Sequence, residues 1–314
     1  MDGVAKTAAR GRVTRSIPIR IRLGVVKTKQ LMLGLSTWVL ICLSALMLVP
    51  TIQVMGAASH QPSHAGTPSP ALVGPYAVYV PLALKSASTS GPETCPSSST
   101  AQYNTIPVLW PPADHPDSLH ADFNLSLRGY VPTTASLELV DYGGPTDPGA
   151  VQLAGLFSDN RVPTFKAAYQ VYDWNWGCGP HGCRGSLLTY PDVTLIGMGT
   201  SPGEAIHIPT IVTEIYGGGY RAMVLYAEEK RITLGYTRLD SVSLGYSIHI
   251  ENLCVDPNLL ARYRASNAAG RGTLPALRNG ETIGIAPGPQ IEVAVRDAGT
   301  FMDPRSRKDW WQGK

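Results

Sequence analysis

The sequence lacks the short signatures of several large protein classes. It has no Gly-x-Ser-x-Gly elbow, and its Gly-Gly-Gly-Tyr run at residues 217–220 lacks the lysine and the helical context of a phosphate-binding loop. It also has no long internal repeat of the solenoid kind. These absences argue against an α/β-type serine hydrolase, a protein with a nucleotide-binding loop and a repeat protein.

Positive charge is scarce once the first 30 residues are set aside. The whole chain has 26 Lys and Arg residues against 23 Asp and Glu residues, a formal net charge of +3. Eight basic residues and one acidic residue precede Leu31, so the rest of the chain has 18 basic and 22 acidic residues and a net charge of −4. The basic balance therefore belongs to the N-terminal segment. It does not indicate nucleic-acid binding, which needs a basic patch in the folded part.

Residues 31–49 form an uncharged apolar run that is long enough to cross a bilayer. Basic residues precede this run, Pro50 ends it, and Met-Gly-Ala-Ala-Ser at residues 55–59 is a pattern that a signal peptidase cuts. We predict that residues 1–58 are a signal peptide, with an uncleaved membrane anchor as the alternative. Either outcome places the rest of the chain outside the cytoplasm, in the cell envelope or beyond it, with this segment as its sole membrane contact.

Four cysteines lie beyond the export segment, which itself contains Cys42. They are Cys95, Cys178, Cys183 and Cys254. An even number outside the cytoplasm suggests two disulfides. Cys178 and Cys183 flank a turn-forming Gly-Pro-His-Gly and are the predicted pair, which leaves Cys95 for Cys254. The alternative is a metal site of Cys178, His181 and Cys183, although no second ligand pair follows at zinc-finger spacing.

Composition divides the chain after the export segment into three parts. Residues 59–115 are rich in Pro, Ser, Thr, Gly and Ala and cannot bury enough apolar surface to fold alone. We predict a linker there, with residues 76–84 the one segment expected to order. Residues 116–170 are predicted to form accessory β-hairpins, and residues 171–314 the main β domain.

Short segments in which apolar and polar residues alternate run through the second half of the chain, for example YSIHIE and IEVAVRD. This period of two is typical of half-buried strands. One helix is indicated by Asp256 as N-cap, Pro257 at the first helical position, and Leu259, Leu260 and Tyr263 on one face. With 32 Gly and 26 Pro residues, the predicted fold class is mainly β with one short inserted helix.

Five sequence blocks, in the right order, resemble the lysostaphin-type zinc endopeptidases. They are SPGEAIHIP at 201–209, GGGYRAMVLYA at 217–227, YTRLDSV at 236–242, LRNGETIGIA at 277–286 and GPQIEVAVRD at 288–297, followed by FMDP at 301–304. The resemblance covers residues 193–304. It implies the barrel-sandwich hybrid core of that family, in which two similar hairpin units pack face to face.

The positions that carry chemistry in that family hold other residues here. The family binds zinc through a His and an Asp on an early strand and the second His of a late His-x-His pair, and two further histidines assist the attacking water. By the resemblance, Arg238 takes one of these assisting positions, Gln290 and Glu292 take the late pair, and Asp192 is the nearest acid on the early strand. We therefore predict a degenerate site without metal or cofactor, in which an Arg238–Glu292 ion pair replaces the zinc.

The resemblance implies a non-catalytic binding or scaffolding module of the cell envelope. Tyr172, Trp174 and Trp176 alternate along a predicted strand and so project from one face, where they form a candidate platform for a cell-wall glycan or peptide. Another envelope protein is the alternative partner. The same rings could instead serve core packing, and Trp310 and Trp311 could pin the end of the chain.

An extracellular hydrolase with a rearranged active site is the alternative function. His115, Asp117, His120 and Asp122 are spaced as a possible metal group, although they equally suit turn capping near the start of the domain. Paired carboxylates for glycoside cleavage are a further possibility. The candidates are Glu214, Glu228, Glu229, Asp240 and Glu292, and their spacing selects no pair.

Overall fold

The computed structural model describes residues 94–109 and 115–314, all of which belong to the unit Leu82–Lys314. The predictions for the signal peptide or anchor at 1–58, for the linker up to residue 93 and for the strand-like segment at 76–84 lie outside the described residues. Within them, the predicted mainly β class is confirmed.

Fourteen strands form two antiparallel sheets in this part of the chain. The strands are β1 (Asn104–Pro107), β2 (Tyr130–Thr133), β3 (Phe165–Asn175), β4 (Cys183–Leu187), β5 (Leu195–Gly199), β6 (Ala205–His207), β7 (Tyr220–Glu228), β8 (Arg231–Gly235), β9 (Tyr246–Glu251), β10 (Cys254–Val255), β11 (Thr273–Arg278), β12 (Thr282–Ile285), β13 (Gln290–Asp297) and β14 (Thr300–Met302). The large sheet has the order β1-β11-β7-β8-β9-β13-β5-β3-β2, with β14 beside β13 and β4 beside β3. The small sheet is β10-β12-β6, and neither described sheet is closed.

Both faces of the large sheet are buried along strand β13. Ile291, Val293 and Val295 point into the main core, because successive side chains of a strand point to opposite faces. Glu292 and Arg296 lie on the other face, called here the second face, and both are also buried. Polar side chains are therefore held away from water on the second face, where each one needs a partner.

Three α-helices and two 3-10 turns accompany the described strands. They are α1 (Leu125–Arg128), α2 (Pro257–Ala268) and α3 (Arg307–Trp310), with 3-10 turns at Asp117–Leu119 and Leu153–Leu156. The predicted helix is α2: Asp256 caps it by accepting from the backbone N–H groups of Asn258 and Leu259. No helix of the described residues has the length and apolar character needed to span a bilayer.

Both predicted disulfides are present. Cys178 and Cys183 are bonded with Cα atoms 5.5 Å apart, and Cys95 and Cys254 with Cα atoms 5.2 Å apart. The alternative metal site of Cys178, His181 and Cys183 is wrong, because both of its thiols are consumed in a disulfide.

The predicted linker ends too late in the sequence. Residues 104–107 form β1, which pairs with β11 at the edge of the large sheet, and the side chain of Ile106 is buried. The composition around residues 104–107 did not indicate a strand, because backbone pairing with a distant strand does not require an apolar segment. The segment that holds Cys95 and β1 is therefore part of the folded unit.

The accessory region differs from the predicted hairpins. Residues 116–170 contribute α1, β2 and the 3-10 turns, and the boundary placed at residues 170/171 falls inside β3. Strand β3 pairs with both β2 and β5, so it joins this region to the main sheet. At the other end, Trp310 and Trp311 are buried and donate their indole N–H groups to the carbonyls of Asp303 and Pro304. They pin the end of the chain.

Candidate functional site

Strand register places four residues side by side on the second face. Arg231 of β8 lies opposite Glu251 of β9, Glu251 lies opposite Glu292 of β13, and Glu292 lies opposite Gly197 of β5. We call Arg231, Glu251 and Glu292 the carboxylate row. The row is well ordered by the sheet itself, because each member is fixed by the pairing of its strand.

Hydrogen bonds connect the row to its neighbours. Arg231 Nε donates to Glu251 Oε2 at 2.9 Å. Gln290 Nε2 donates to Glu292 Oε1 at 2.7 Å and to the Tyr169 hydroxyl at 3.2 Å. The ring of Tyr130 meets that of Tyr169 edge to face, with centroids 5.3 Å apart. One carboxyl thus has a cationic partner and the other an amide partner, beside two aromatic rings.

The two carboxyls have unusual acidities. Burial raises the pKa of Glu251 to about 7, although Arg231 acts in the opposite direction, and Glu292 raises it further. Burial also raises the pKa of Glu292, against the lowering effect of the Gln290 hydrogen bond. Near neutral pH, Glu251 therefore exchanges a proton readily, which is the property of a general acid or base.

Strand β5 supplies no carboxylate to this site. Its residue opposite Glu292 is Gly197, and a Cβ atom there would lie 2.6 Å from Gln290 Cδ. The glycine thus leaves the space that the Gln290 amide fills. Asp192, predicted to belong to the site, lies exposed in the loop before β5 begins at Leu195, and the structure does not bring it into the row.

The predicted Arg238–Glu292 ion pair is wrong. Arg238 donates through Nε and Nη2 to the carbonyl of Pro107 at 3.1 and 2.9 Å, and its guanidinium lies 4.7 Å from the ring centroid of Tyr216. The physical reason is the order of the strands in the sheet. Arg238 follows the end of β8, and β9 lies between β8 and β13. Glu251 therefore occupies the place opposite Glu292.

Zinc does not fit the residues present. The row offers two carboxyls, one bound to a guanidinium, and no imidazole. The second-face histidine two residues before Glu251 is His249, and its Nδ1 is bonded to Thr233. Among the described residues, no group of three His, Cys, Asp or Glu side chains is arranged to hold a metal ion. We therefore derive no chemical step through zinc.

His249 is held neutral in a polar layer beside the row. Thr233 Oγ1 donates its single proton to the Phe123 carbonyl at 2.6 Å, so at 2.9 Å it accepts from His249 Nδ1. Burial, then the charges of Arg296 and Arg128, lower the pKa of His249 well below its ordinary value. The imidazole therefore stays uncharged with its proton on Nδ1.

An ion network completes this layer. Asp122 Oδ1 lies 2.7 Å from Arg128 Nη2 and 2.8 Å from Arg296 Nη1. Burial alone would raise the pKa of Asp122, but the two guanidinium groups hold it below its ordinary value. The network joins the segment around α1 to β13, so Asp122 has a structural role.

The predicted His/Asp metal group does not assemble. His115 and His120 lie together, with ring centroids 5.6 Å apart. Asp117 instead accepts from the Tyr263 hydroxyl, and Asp122 belongs to the ion network. The four side chains therefore serve different parts of the fold.

The predicted aromatic residues lie on the β3–β4 hairpin, which the Cys178–Cys183 disulfide closes. The register shifts between Tyr172 and Trp174, and Trp176 follows the end of β3. Arg184 lies 5.2 Å from the Tyr172 ring centroid, and His115 stacks on Trp176 at 5.4 Å. The three rings therefore do not form one flat platform, although Trp176 remains 39% exposed.

The structure selects one carboxyl pair, and the sequence reasoning contained only half of it. Each of the other candidates also has an arginine partner, but none lies opposite a second carboxyl in the strand register: Glu214 pairs with Arg221, Glu228 with Arg231, Glu229 with Arg264, and Asp240 with Arg271. Glu251 was missed. A signal existed in YSIHIE, where Ser247, His249 and Glu251 alternate with buried isoleucines and so share one face of β9.

Comparison with known proteins adds no relative. No family model matches this chain, and no curated protein or solved structure matches it either. The likeness to lysostaphin-type peptidases therefore remains a prediction from the five sequence blocks.

Proposed function

We propose that this chain is a non-catalytic binding module of the cell envelope, built on a degenerate peptidase-like scaffold, and that its ligand is a cell-wall glycan or peptide. The observation that carries this proposal is the carboxylate row. Where the resemblance places zinc chemistry, β13 presents Gln290 and Glu292 beside Glu251 and Arg231. These groups form hydrogen bonds with one another and supply no imidazole.

Aromatic side chains support a binding role. Trp176 is exposed at the tip of a hairpin that a disulfide closes, so the ring is presented with little loss of freedom on binding. Tyr130 and Tyr169 lie beside the carboxylate row and are half-buried, so they present partly accessible aromatic surface next to it. The two disulfides are compatible with an extracellular location.

Sedimentation with insoluble cell-wall polymer tests the proposal. The full chain should pellet with the polymer and contain no stoichiometric zinc. Trp176→Ala should reduce the pelleted fraction severalfold, since an aromatic anchor often contributes 2 kcal/mol or more, which is about thirtyfold in affinity. Val212→Ala, at a side chain that is 79% exposed elsewhere on the surface, is the matched control. Stoichiometric zinc with peptide cleavage would overturn the proposal.

A second candidate function is glycoside hydrolysis by Glu251 and Glu292. The two residues lie directly opposite each other on antiparallel strands, which brings together the pair of carboxyls that glycoside cleavage requires. The raised pKa of Glu251 suits the general acid, and Glu292 would be the second carboxyl. Release of reducing ends from soluble oligosaccharides, abolished by both Glu251→Gln and Glu292→Gln, would favour this candidate over binding alone.

A further inference from the structure

A groove lies away from the carboxylate row, between β14, α3 and the loop at Tyr190. Its volume is 380 Å³, at the small end of ligand pockets. Tyr142, Tyr190, Phe301 and Trp310 line it. Tyr142, Tyr190 and Phe301 did not enter the sequence-based site, because they come from separate segments of the chain.

The two tyrosines of the groove are unusually accessible. Tyr190 is 87% exposed and Tyr142 is 37% exposed, whereas Phe301 and Trp310 are buried in the floor. A large aromatic ring held in water contributes little to packing, but it offers a flat face for a ligand to cover. The groove therefore has an apolar floor and an open aromatic rim.

The charges that line the groove are already balanced. Asp303 Oδ2 accepts from Arg305 Nη2 at 2.7 Å and from the Tyr142 hydroxyl at 2.7 Å. Lys308 Nζ donates to Asp309 Oδ1, also at 2.7 Å. Each carboxylate thus has a cationic partner, so the groove attracts neither an anion nor a cation. The same groups remain able to exchange hydrogen bonds with an uncharged polar ligand.

We propose that this groove binds a pyranose ring of an uncharged glycan. A pyranose has an apolar C–H face that can stack on Tyr190 and hydroxyl groups at its edge that can bond to Lys308 and Asp309. An acyl chain would remove water from Lys308 and Asp309 and offer no hydrogen bond in its place, which is unfavourable. This inference deepens the proposed function and rests on it, because it selects glycan over peptide and places the contact.

Titration with soluble neutral oligosaccharides of three to six rings, cello- and chito-series, tests the groove. Binding to the full chain is followed by calorimetry and by tryptophan fluorescence, to which Trp310 contributes from the groove floor. Tyr190→Ala should weaken binding at least tenfold and leave the unfolding midpoint unchanged, because the ring is exposed. Tyr190→Phe should retain most of the affinity, because the stacking face remains. Val212→Ala is the control.

Three outcomes would overturn the assignment. They are the absence of binding by the full chain to any of these sugars, binding that Tyr190→Ala leaves unchanged, and preferential binding of a charged peptide. The polymer sedimentation described above is scored separately with Trp176→Ala. If Trp176→Ala reduces the pelleted fraction but Tyr190→Ala leaves oligosaccharide binding unchanged, the groove assignment is wrong and the envelope-binding proposal stands.

Discussion

At the residue scale, Glu251 links the chemistry of the carboxylate row to pH. Its pKa in the folded chain is about 7 against an ordinary value of 4.5, so folding favours the protonated form. This contribution to the free energy of unfolding is complete below the ordinary pKa and is lost as pH rises through the folded pKa. The shift corresponds to roughly 3 kcal/mol.

We predict that Glu251→Gln removes this loss. Between about pH 5 and pH 8, the variant should show a smaller decline in unfolding free energy than the parent, because the amide cannot ionise. Urea unfolding at several pH values measures the difference. Glu229→Gln, at a side chain that is 76% exposed, is the control and should leave the slope unchanged. Parallel pH profiles for parent and Glu251→Gln would contradict the prediction.

His249 should have the opposite effect. Its pKa is depressed in the folded chain, so its contribution is complete above the ordinary value of about 6.5 and is lost as pH falls below it. The expected loss is about 1.4 kcal/mol per pH unit. Because Glu251 acts in the opposite direction over the same range, the effect is measured as a difference: between about pH 6.5 and pH 5, His249→Asn, which keeps an N–H donor for Thr233, should gain unfolding free energy relative to the parent in urea unfolding as pH falls. A difference between the two proteins that does not change with pH would contradict the prediction.

A side chain at Gly197 would have to displace the end of the Gln290 side chain. The added Cβ would meet Gln290 Cδ at 2.6 Å, so Gly197→Ala must displace the amide from Glu292. We expect a loss of about 1–3 kcal/mol in thermal unfolding. Gly217→Ala is the matched control, because nothing lies within 4 Å of its Cβ position. Equal midpoints for the two variants would show that Gln290 relaxes freely.

At the element scale, the Cys95–Cys254 disulfide ties the segment that leads into β1 to β10. The bond joins residues 159 positions apart, so a chain-entropy model gives about 5 kcal/mol, against about 2 kcal/mol for the five-residue separation of Cys178 and Cys183. We predict that the double variant Cys95→Ser/Cys254→Ser makes residues 94–109 sensitive to protease. Mass spectrometry of limited digests should detect cuts there, and not in Cys178→Ser/Cys183→Ser. Cuts at 94–109 in the unmodified chain would contradict this view.

Local patterns predicted elements where the cause of the structure is local. The cap at Asp256 and Pro257 marked α2, and the alternation in IEVAVRD marked β13, although both faces of this strand are buried and not one as predicted. The turn between Cys178 and Cys183 identified their bond. In each case the residues that determine the element are neighbours in sequence.

The sequence did not predict contacts between strands that are distant along the chain. Strand β1 depends on β11, and the pairing of Glu251 with Glu292 depends on β9 lying between β8 and β13. The Arg238–Glu292 prediction failed for the same reason, since composition and motif spacing do not give strand order. Glu251 and the groove at Tyr190 could therefore be identified only from the three-dimensional structure.

At the scale of the whole molecule, the apolar main core covers one face of the large sheet, and polar groups mixed with a smaller apolar cluster that includes Ala294 and Phe301 cover the other. The main core packs against one face, while Asp122, Arg128, Arg296 and His249 fill part of the second face. Removing Asp122 would take from the buried Arg296 the carboxylate that it contacts, which is far more costly than losing a surface ion pair. The second face is therefore less tolerant of substitution than its polar composition suggests.

Burial of Trp310 and Trp311 has a consequence for how the chain acquires its structure. Both indoles fill the interior, and Trp311 is entirely inaccessible to solvent. A polypeptide that emerges with its N-terminal side first delivers every strand of both described sheets before these two rings arrive. The sheets must then remain incompletely packed until residues 310 and 311 are delivered, so this unit completes its packing only after all of its described strands have been synthesised.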